Sequence, residues 1–280
     1  MLVGNLINKA TKELISSKIN NPILDSEILL SKILNQDRKY TILNPKENLG
    51  QRNKDRFYEL VDRRKKGEPI AYILEKKDFW KETFYINKHV LIPRPDTELI
   101  IEEVLKLYPN RSRMHVLDIG TGSGCILLSL LNELKDSYGT GIDISKESIK
   151  VSKYNSRVLQ LNNRANFYVS DVDKFIQGKY DIIVSNPPYI QSHRLKYLDR
   201  DVKNFEPKLA LDGGVDGLLK TVKVINKSLQ LLKNNGKLVL EIGFNQKMEI
   251  LKILKKKRFY INKVSKDYAN NYRCIVCTKI

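Results

Sequence analysis

The feature that most constrains the fold is a glycine-rich turn between an apolar segment and a helical pattern. Residues 115–119 are typical of a buried strand, and residues 120–124 (GTGSG) follow them at once. Leucine and isoleucine then recur at helical spacing from Ile126 onward. Glycines allow close approach to the backbone and leave the amides at a helix N-terminus free. The turn therefore predicts a strand, a loop and a helix that hold the polar end of a ligand.

From Met114 onward, predicted strands alternate with predicted helices, which indicates an α/β fold with a largely parallel sheet. A second strand, near residues 139–142, ends in Asp143, which lies 23 residues beyond Gly120. A carboxylate at that place can accept both hydroxyls of a ribose. The spacing G-x-G-x-G differs by one residue from the dinucleotide fingerprint G-x-G-x-x-G, so the turn does not match that class of enzyme.

A third predicted strand, residues 166–169, leads to Asp171 and Val172. Asp171 is placed to accept a hydrogen bond from an adenine amino group, and Val172 to pack on the adenine ring. Acidic residues often follow strands, but successive parallel strands end at one edge of their sheet, which brings these side chains together. The fourth strand, residues 180–184, delivers a further loop to the same edge.

That further loop has the sequence SNPPYI, residues 185–190. Two consecutive prolines end the strand because neither can donate a hydrogen bond to a sheet ladder. Proline fixes its own φ and extends the residue before it, so Asn186 and Pro187 are both restrained, and Tyr189 adds a flat ring beside them. Such a loop can accept hydrogen bonds from a planar NH2 group and cover its face, which suits an amide or an exocyclic amine. The alternative is a plain proline-rich turn after a core strand.

The N-terminal residues follow a different pattern. Residues 1–75 show helical spacing without strand alternation and predict a small helical domain that carries no catalytic motif. Its role is either structural or the docking of a macromolecular substrate. Aromatic and β-branched residues within 76–95 predict a β-hairpin linker, and residues 96–280 then form the larger α/β domain.

A stiff segment with the sequence IPRPDTE, residues 92–98, lies where the predicted linker meets the larger domain. Arg94 is held between two prolines, which places it either over a ligand or in a surface connector. Asp96 or Thr97 is expected to cap the helix that follows.

The C-terminal segment predicts two strands, near residues 260–264 and 272–278, which form a hairpin and make one sheet edge antiparallel. Cys274 and Cys277 lie in the second of these strands. The chain has three cysteines, an odd number without a second pair for zinc, which argues against a disulfide framework and a structural metal site.

The formal net charge is +18. An excess of this size favours an acidic partner such as RNA, DNA or a ribonucleoprotein, whereas the alternative is a basic surface that reflects genome composition. Residues 1–75 hold 14 basic and 10 acidic side chains, so most of the excess belongs to the larger domain. No apolar run reaches the length of a membrane span, and Lys9 and Lys12 interrupt any signal-peptide core. We therefore expect a cytoplasmic protein.

Together these motifs resemble class I S-adenosylmethionine-dependent methyltransferases. They resemble more closely the bacterial protein-(glutamine) methyltransferases that modify class I peptide chain release factors, the HemK or PrmC family. The resemblance covers nearly the whole chain and implies a seven-stranded Rossmann-like sheet with an antiparallel C-terminal hairpin after a helical domain. The segments that carry it are 67–72 (GEPIAY), 79–80 (FW), 91–98 (LIPRPDTE), 117–124 (LDIGTGSG), 185–189 (SNPPY) and 206–211 (EPKLAL).

The resemblance also implies the reactants and the site. The cofactor is S-adenosyl-L-methionine, its product is S-adenosyl-L-homocysteine, and the substrate is the glutamine of the Gly-Gly-Gln motif in class I release factors. The implied cofactor contacts are Asp118, Gly120, Thr121, Gly122, Ser123, Gly124, Asp143, Asp171, Val172 and Asn186. The implied substrate contacts are Asn186, Pro187, Pro188, Tyr189 and Arg94, of which Asn186, Pro187 and Tyr189 are catalytic. Related sequences often carry an aromatic residue at the position of Val172.

The implied mechanism is direct displacement at the sulfonium methyl by the amide nitrogen, without a metal or a nucleophilic side chain, in a chain expected to act as a monomer. An N6-adenine methyltransferase of DNA or RNA meets the same loop requirements and suits the positive charge, but it requires base flipping. Modification of a ribosomal-protein glutamine is a further alternative. A basic RNA-binding module without catalysis is opposed by the intact Gly120, Gly122, Gly124, Asp143 and Asn186.

Overall fold

The computed structural model describes residues 1–109 and 113–280. The chain divides into two compact units, Met1–Glu75 with Asp199–Phe205, and Lys76–Leu198 with Glu206–Ile280. We call the first the helical unit and the second the sheet unit. This division differs from the predicted boundaries in two places. Residues 76–95 belong to the sheet unit, and a short segment from the second half of the chain belongs to the helical unit.

The elements alternate as the sequence predicts from residue 114 onward. The α-helices in the described residues are α1 (Val3–Ser16), α2 (Pro22–Leu34), α3 (Arg38–Leu43), α4 (Gln51–Lys65), α5 (Ile70–Leu74), α6 (Glu98–Leu107), α7 (Cys125–Glu133), α8 (Lys146–Val158), α9 (Arg200–Phe205), α10 (Leu219–Leu231) and α11 (Lys247–Lys256). The strands are β1 (Lys76–Phe79), β2 (Glu82–Tyr85), β3 (His115–Ile119), β4 (Tyr138–Asp143), β5 (Ala165–Val169), β6 (Tyr180–Ser185), β7 (Ile190–Gln191), β8 (Asp212–Gly214), β9 (Leu232–Glu241), β10 (Phe259–Lys266) and β11 (Tyr272–Lys279).

The helical unit forms around the apolar faces that its sequence spacing predicts. Leu6 and Leu14 on α1, Leu29 on α2 and Phe57 on α4 are completely buried in one apolar cluster. Such burial stabilises the unit because each large apolar side chain contributes about 1.5–3 kcal/mol when it leaves water. Residues 70–74, at the end of the predicted helical domain, form α5, and its Ile73 joins the same cluster.

A buried arginine ties the two sequence segments of the helical unit together. Arg64 Nε lies 2.7 Å from Asp25 Oδ2, and Arg64 Nη1 lies 2.8 Å from Asp201 Oδ2. Its guanidinium also donates to the carbonyl of Glu68. Two carboxylates and a carbonyl thus satisfy a cation that would be costly to bury alone.

The sheet unit contains a seven-stranded sheet in the order β10-β11-β9-β6-β3-β4-β5. The pairs from β9 through β6, β3 and β4 to β5 are parallel, and β11 is antiparallel to both β9 and β10. The predicted fold class and its antiparallel C-terminal hairpin are therefore confirmed. The strand order reverses between β3 and β6, which is where doubly wound sheets bind their ligands.

The first hairpin is shorter than the sequence suggested. β1 and β2 pair from Lys76↔Tyr85 to Phe79↔Glu82, whereas residues 90–92 form no strand. Tyr85 is anchored to α8, because its amide donates to Asn155 Oδ1 at 2.8 Å and its carbonyl accepts from Asn155 Nδ2 at 2.9 Å. The hairpin is therefore fixed to the sheet unit by a helix distant in sequence.

Across residues 1–109 and 113–280, no helix has the length and apolarity needed to cross a lipid bilayer.

Candidate active site

A cleft of about 260 Å³ opens at the carboxyl ends of the parallel strands. Several residues singled out in the sequence line it, namely Gly120, Gly122, Asp143, Asp171, Val172, Asn186, Pro187 and Pro188. Asp118, Thr121, Ser123, Gly124, Tyr189 and Arg94 are not among the residues that line this cleft. The predicted site residues thus divide into a group at the cleft surface and a group behind it or beside it.

The glycine loop has a backbone shape that side chains disfavour. Gly120, Gly122 and Gly124 have φ angles of +78°, +54° and +82°, in the region that costs L-residues roughly 1–2 kcal/mol. The amides of Gly120 and Thr121 both donate to the Ile142 carbonyl, which closes the loop against β4. A Cβ atom at Gly120 or Gly122 would meet no atom within 4 Å, so this face of the loop is open to a ligand.

Behind the loop lies Asp118, a completely buried carboxyl. Its Oδ2 accepts a hydrogen bond from the Thr121 hydroxyl at 2.7 Å, while Oδ1 has no hydrogen-bond partner among the described residues. Burial, together with the neighbouring Asp143, raises the pKa of Asp118 to about 7 against the opposing hydrogen bond from Thr121. The carboxyl therefore fixes the loop through Thr121 and retains one unused acceptor.

Asp143 ends β4 and is held by backbone amides. Gly122 N donates to its Oδ2 at 3.0 Å, and Ser145 N donates to its Oδ1 at 2.9 Å. Burial raises its pKa, and these two amides oppose the rise. Ser145 caps α8, because its hydroxyl accepts from Ser148 N at 3.1 Å. Each carboxylate oxygen keeps lone pairs for a further donor.

Asp171 and Val172 form the next part of the cleft. Asp171 Oδ1 accepts from Asp173 N at 2.9 Å and caps the short 3-10 turn Val172–Lys174. Val172 is half-buried and packs on the apolar core of the sheet unit. A carboxylate and an apolar surface therefore lie side by side here.

The loop after β6 is held from several sides. The Ser185 hydroxyl donates to the Ile119 carbonyl at 2.6 Å and joins the ends of β6 and β3. Asn186 Nδ2 donates to Thr97 Oγ1 at 3.0 Å. This bond occupies the amide nitrogen of Asn186 and leaves its Oδ1 as an acceptor. Pro187 is buried.

Tyr189 is fixed by groups from two later segments. Its hydroxyl donates to Glu241 Oε1 at 3.4 Å, and its carbonyl accepts from Gln246 Nε2 at 3.2 Å. Burial, together with the charge of Glu241, raises the pKa of Tyr189 to about 12. Below the loop, a Cβ at Gly213 would lie 2.8 Å from the Pro188 carbonyl oxygen, so only glycine allows this approach of β8.

Several supporting residues were missed by the reasoning from sequence. Thr97 was expected as a helix cap, but it makes no side-chain cap bond and contacts Asn186 instead. Glu206 pairs with Arg94 and accepts from the Ile92 amide at 3.2 Å. The sequence offered one indication of Glu241, which is a carboxylate directly after the apolar run 238–240. Gln246 lies in a polar turn and gave no signal.

Comparison with known proteins agrees with this architecture. Residues 5–74 match the family described as PrmC N-terminal domain, and residues 110–277 match the one described as Methyltransferase domain. A solved structure titled methyltransferase from Pyrococcus furiosus aligns with a TM-score of 0.53 at 19% identity and covers 70% of this chain and 88% of that one. The sheet, its cleft and the matched domain therefore define a methyltransferase.

Two relatives indicate to which family of methyltransferases the chain belongs. A protein of Buchnera aphidicola subsp. Schizaphis graminum, named release factor glutamine methyltransferase, is 37% identical over 98% of this chain and 98% of its own length. A Rickettsia bellii protein, named bifunctional methyltransferase, is 34% identical over 98% of this chain, which spans only 54% of that protein. The chain belongs to the release factor glutamine methyltransferase family.

Proposed function

We propose that this protein transfers a methyl group from S-adenosyl-L-methionine to the side-chain amide nitrogen of the glutamine in the Gly-Gly-Gln motif of class I release factors. One observation carries the proposal. The open glycine loop, Asp143 and the Asn186-Pro187-Pro188 segment line the same cleft, so a nucleoside site and an acceptor for a planar NH2 group share one space. The names of the relatives support the choice of substrate.

The residues of the cleft fit the cofactor. The open side of Gly120 and Gly122 suits the amino-acid end, and the Asp143 carboxylate keeps lone pairs for ribose hydroxyls. Asp171 and Val172 offer an acceptor and an apolar surface for adenine. Asp118, when it is ionised, favours a cationic ligand above the loop. When bound, S-adenosyl-L-methionine supplies an electrophilic methyl group on a sulfonium.

The acceptor side is built to hold an amide. Asn186 Oδ1 and the Pro187 carbonyl accept the two NH2 hydrogens of the substrate glutamine, and Tyr189 lies against its plane. An amide nitrogen is a weak nucleophile because its lone pair is delocalised. Acceptors placed on its hydrogens stabilise the positive charge that develops on nitrogen as the new bond forms. The fixed orientation of the amide toward the methyl group supplies the remaining rate acceleration. The product amide then releases its extra proton to solvent.

The first experiment measures transfer of labelled methyl from S-adenosylmethionine to a purified class I release factor. A release factor with Gln→Ala in its Gly-Gly-Gln motif, duplex DNA and ribosomal proteins serve as parallel substrates. We expect label on the wild-type release factor alone. Label on DNA would support an N6-adenine methyltransferase instead, and label on a ribosomal protein would move the proposal to another glutamine.

The helical unit is proposed to dock the release factor. If it does, full-length release factor should have a higher kcat/KM than a short Gly-Gly-Gln peptide. Phe57→Ala removes a fully buried side chain from the helical core, a loss that costs about 3–5 kcal/mol. This variant should reduce the preference for the full-length factor and leave methylation of the peptide intact. Equal loss on both substrates would indicate a purely structural role.

Translation factors work in the cytoplasm, so we propose that compartment for this enzyme and a monomeric state. The net charge of +18 is consistent with weak attraction to ribosomes or nucleic acid in addition to the release factor.

A further inference from the structure

Gln246 is a buried amide that joins three loops at the carboxyl edge of the sheet. It lies just before α11, where a helix cap is expected, although among the described residues its side chain makes no cap hydrogen bond. Oε1 instead accepts from the Gly243 amide at 3.0 Å. Nε2 donates to the Gly217 carbonyl at 3.0 Å and to the Tyr189 carbonyl at 3.2 Å. One side chain thus connects the loops that follow β9, β8 and β6.

These three bonds allow a single orientation of the Gln246 amide. A primary amide has two N–H donors and a carbonyl acceptor. Both donors meet carbonyl oxygens, which can only accept, and the acceptor meets a backbone N–H, which can only donate. A reversed amide would set its oxygen against two oxygens and its NH2 against an N–H. The hydrogen bonds therefore require a glutamine amide and not just a side chain of similar size.

Two glycines leave room for this amide. A Cβ at Gly217 would lie 2.8 Å from Gln246 Nε2 and 2.6 Å from the Tyr189 carbonyl oxygen, and the φ angle of +77° there also favours glycine. A Cβ at Gly243 would lie 2.8 Å from Gln246 Oε1. The backbones of two loops therefore approach the amide closely enough for it to reach the third loop, which carries Tyr189.

The peptide group between Tyr189 and Ile190 is held at both of its polar atoms. Its carbonyl oxygen accepts from Gln246, and its amide, that of Ile190, donates to the Leu211 carbonyl at 3.1 Å. A peptide group is planar, so two bonds on opposite sides fix the direction of its plane. The far end of the loop after β6 is thus fixed by one side chain and one backbone carbonyl.

The near end of the same loop is held at Ser185, whose hydroxyl bonds to the end of β3. Only residues 186–188 lie between the two fixed ends. Two of these three residues are prolines, whose rings fix their own φ angles. With both ends held, few dihedral angles remain that could turn the Pro187 carbonyl.

We propose that Gln246 is a positioning residue that fixes the far end of this loop and thereby aims the Pro187 carbonyl at the substrate amide. The inference rests on the proposed function and deepens it. Without the two donors of Gln246, the peptide group after Tyr189 can rotate, and the ψ angle of Pro188 can change with it. The Pro187 carbonyl then loses its alignment with the NH2 group of the substrate glutamine.

The test uses the full-length chain and a class I release factor at pH 8. Gln246→Met nearly keeps the length and volume of the side chain but has no donor. Gln246→Glu keeps the acceptor and sets an ionised oxygen against two carbonyl oxygens. We expect kcat to fall about 10- to 100-fold in both variants, because small displacements of reacting groups are costly. The dissociation constant for the cofactor, measured by calorimetry, should not change. A wild-type kcat in Gln246→Met would overturn the positioning role.

Two control variants separate positioning from general damage. Gln230→Met makes the same substitution at an exposed glutamine and should keep wild-type kcat. Ile250→Ala leaves a cavity beneath α11, because Ile250 is fully buried in the core of the sheet unit. It should lower the melting temperature at least as much as Gln246→Met and still keep kcat near that of the wild type. Equal loss of kcat in Ile250→Ala would refute the positioning role, because loosening of α11 would then explain the effect.

A readout without turnover distinguishes this inference from the proposed function. Hydrogen exchange of the Ile190 backbone amide, followed by NMR of ¹⁵N-labelled protein, reports on the loop directly. Exchange should be faster in Gln246→Met and Gln246→Glu, and unchanged in Gln230→Met. Unchanged exchange in both Gln246 variants would overturn the positioning role. A wild-type chain that transfers no label to release factor, while exchange accelerates as expected, would refute the proposed function alone.

Discussion

The two walls of the cleft are held in place by different means. The glycine wall, residues 118–124 with Asp143, is held mainly by backbone groups close in sequence, such as the Gly122 amide on a carboxylate 21 residues away. The proline wall, residues 185–190, is held by side chains from distant segments. Asn186 bonds to Thr97 across 89 residues, and Tyr189 bonds to Gln246 across 57.

The shape of the glycine wall thus depends on residues within one short motif, whereas the shape of the proline wall depends on contacts with distant parts of the chain. Glycines impose the shape of the first wall through their own φ angles. The proline wall has stiff prolines, but the orientation of its functional side chains also depends on the packing of α6, β8 and β9 around it. We therefore expect changes in the glycine wall to alter cofactor affinity, and changes around the proline wall to alter turnover.

The largest effect should follow Asn186→Ala. Loss of the acceptor for the substrate amide should reduce kcat by about 100- to 1,000-fold, the scale seen when one stabilising group is removed from an active site. Cofactor should still bind, as calorimetry can measure. Asn162→Ala, at an exposed asparagine, is the control. Unchanged turnover in Asn186→Ala would remove this residue from the site.

Asp143→Ala tests the glycine wall and should weaken cofactor binding. The cofactor would lose charge-assisted hydrogen bonds to the carboxylate, which weakens binding by about 1–3 kcal/mol. At saturating cofactor, kcat should stay near that of the wild type. Asp136→Ala, at an exposed aspartate, should bind normally. If the dissociation constant is the same in both variants, Asp143 does not contact the cofactor.

Gly213→Ala tests whether the proline wall depends on its neighbours. The added Cβ would lie 2.7 Å from the Gly217 carbonyl oxygen and 2.8 Å from that of Pro188, so the loop must shift. We expect kcat to fall about tenfold, because small displacements of reacting groups are costly. Cofactor affinity should be retained. A methyl group at Gly50 meets no atom within 4 Å, so Gly50→Ala serves as the control.

The effect furthest from turnover concerns stability. The folded chain keeps the proton of Asp118 up to a pKa of about 7, well above its ordinary value of 3.8. The folded state thus binds more protons than the unfolded state between these values, and its stability falls as the pH rises through that window. Asp118→Asn removes this decline, so between pH 5 and pH 8 the variant should gain about 2–3 kcal/mol relative to the wild type.

Urea unfolding without cofactor measures this change in the free energy of unfolding. Thr121→Val is a useful companion, because it removes the hydroxyl that donates to Asp118 without removing the carboxyl. Its dependence on pH should remain as steep as that of the wild type. A difference between Asp118→Asn and wild type that stays constant with pH would contradict the raised pKa.

The sequence was sufficient to predict the fold and the residues that line the cleft. It was insufficient to predict the residues that hold the cleft-lining side chains in place. Apolar segments and glycines predicted β3, β4, β5 and β6 to within one residue of their observed bounds. Local patterns report such elements because periodicity and backbone preference are local. Thr97 and Gln246 were missed because their roles depend on contacts across the sheet. The roles of Arg94 and Tyr189 toward substrate remain predictions.

The helical unit has a consequence for how this family can change over time. Arg64 is shared between Asp25 and Asp201, and the second of these comes from 137 residues further along the chain. If residues 1–75 were transferred alone into a relative without a carboxylate at position 201, this arginine would keep only one of its two partners. We therefore expect substitutions at positions 64 and 201 to be found together in descendants, because the two residues form one ion pair although they lie far apart in the sequence.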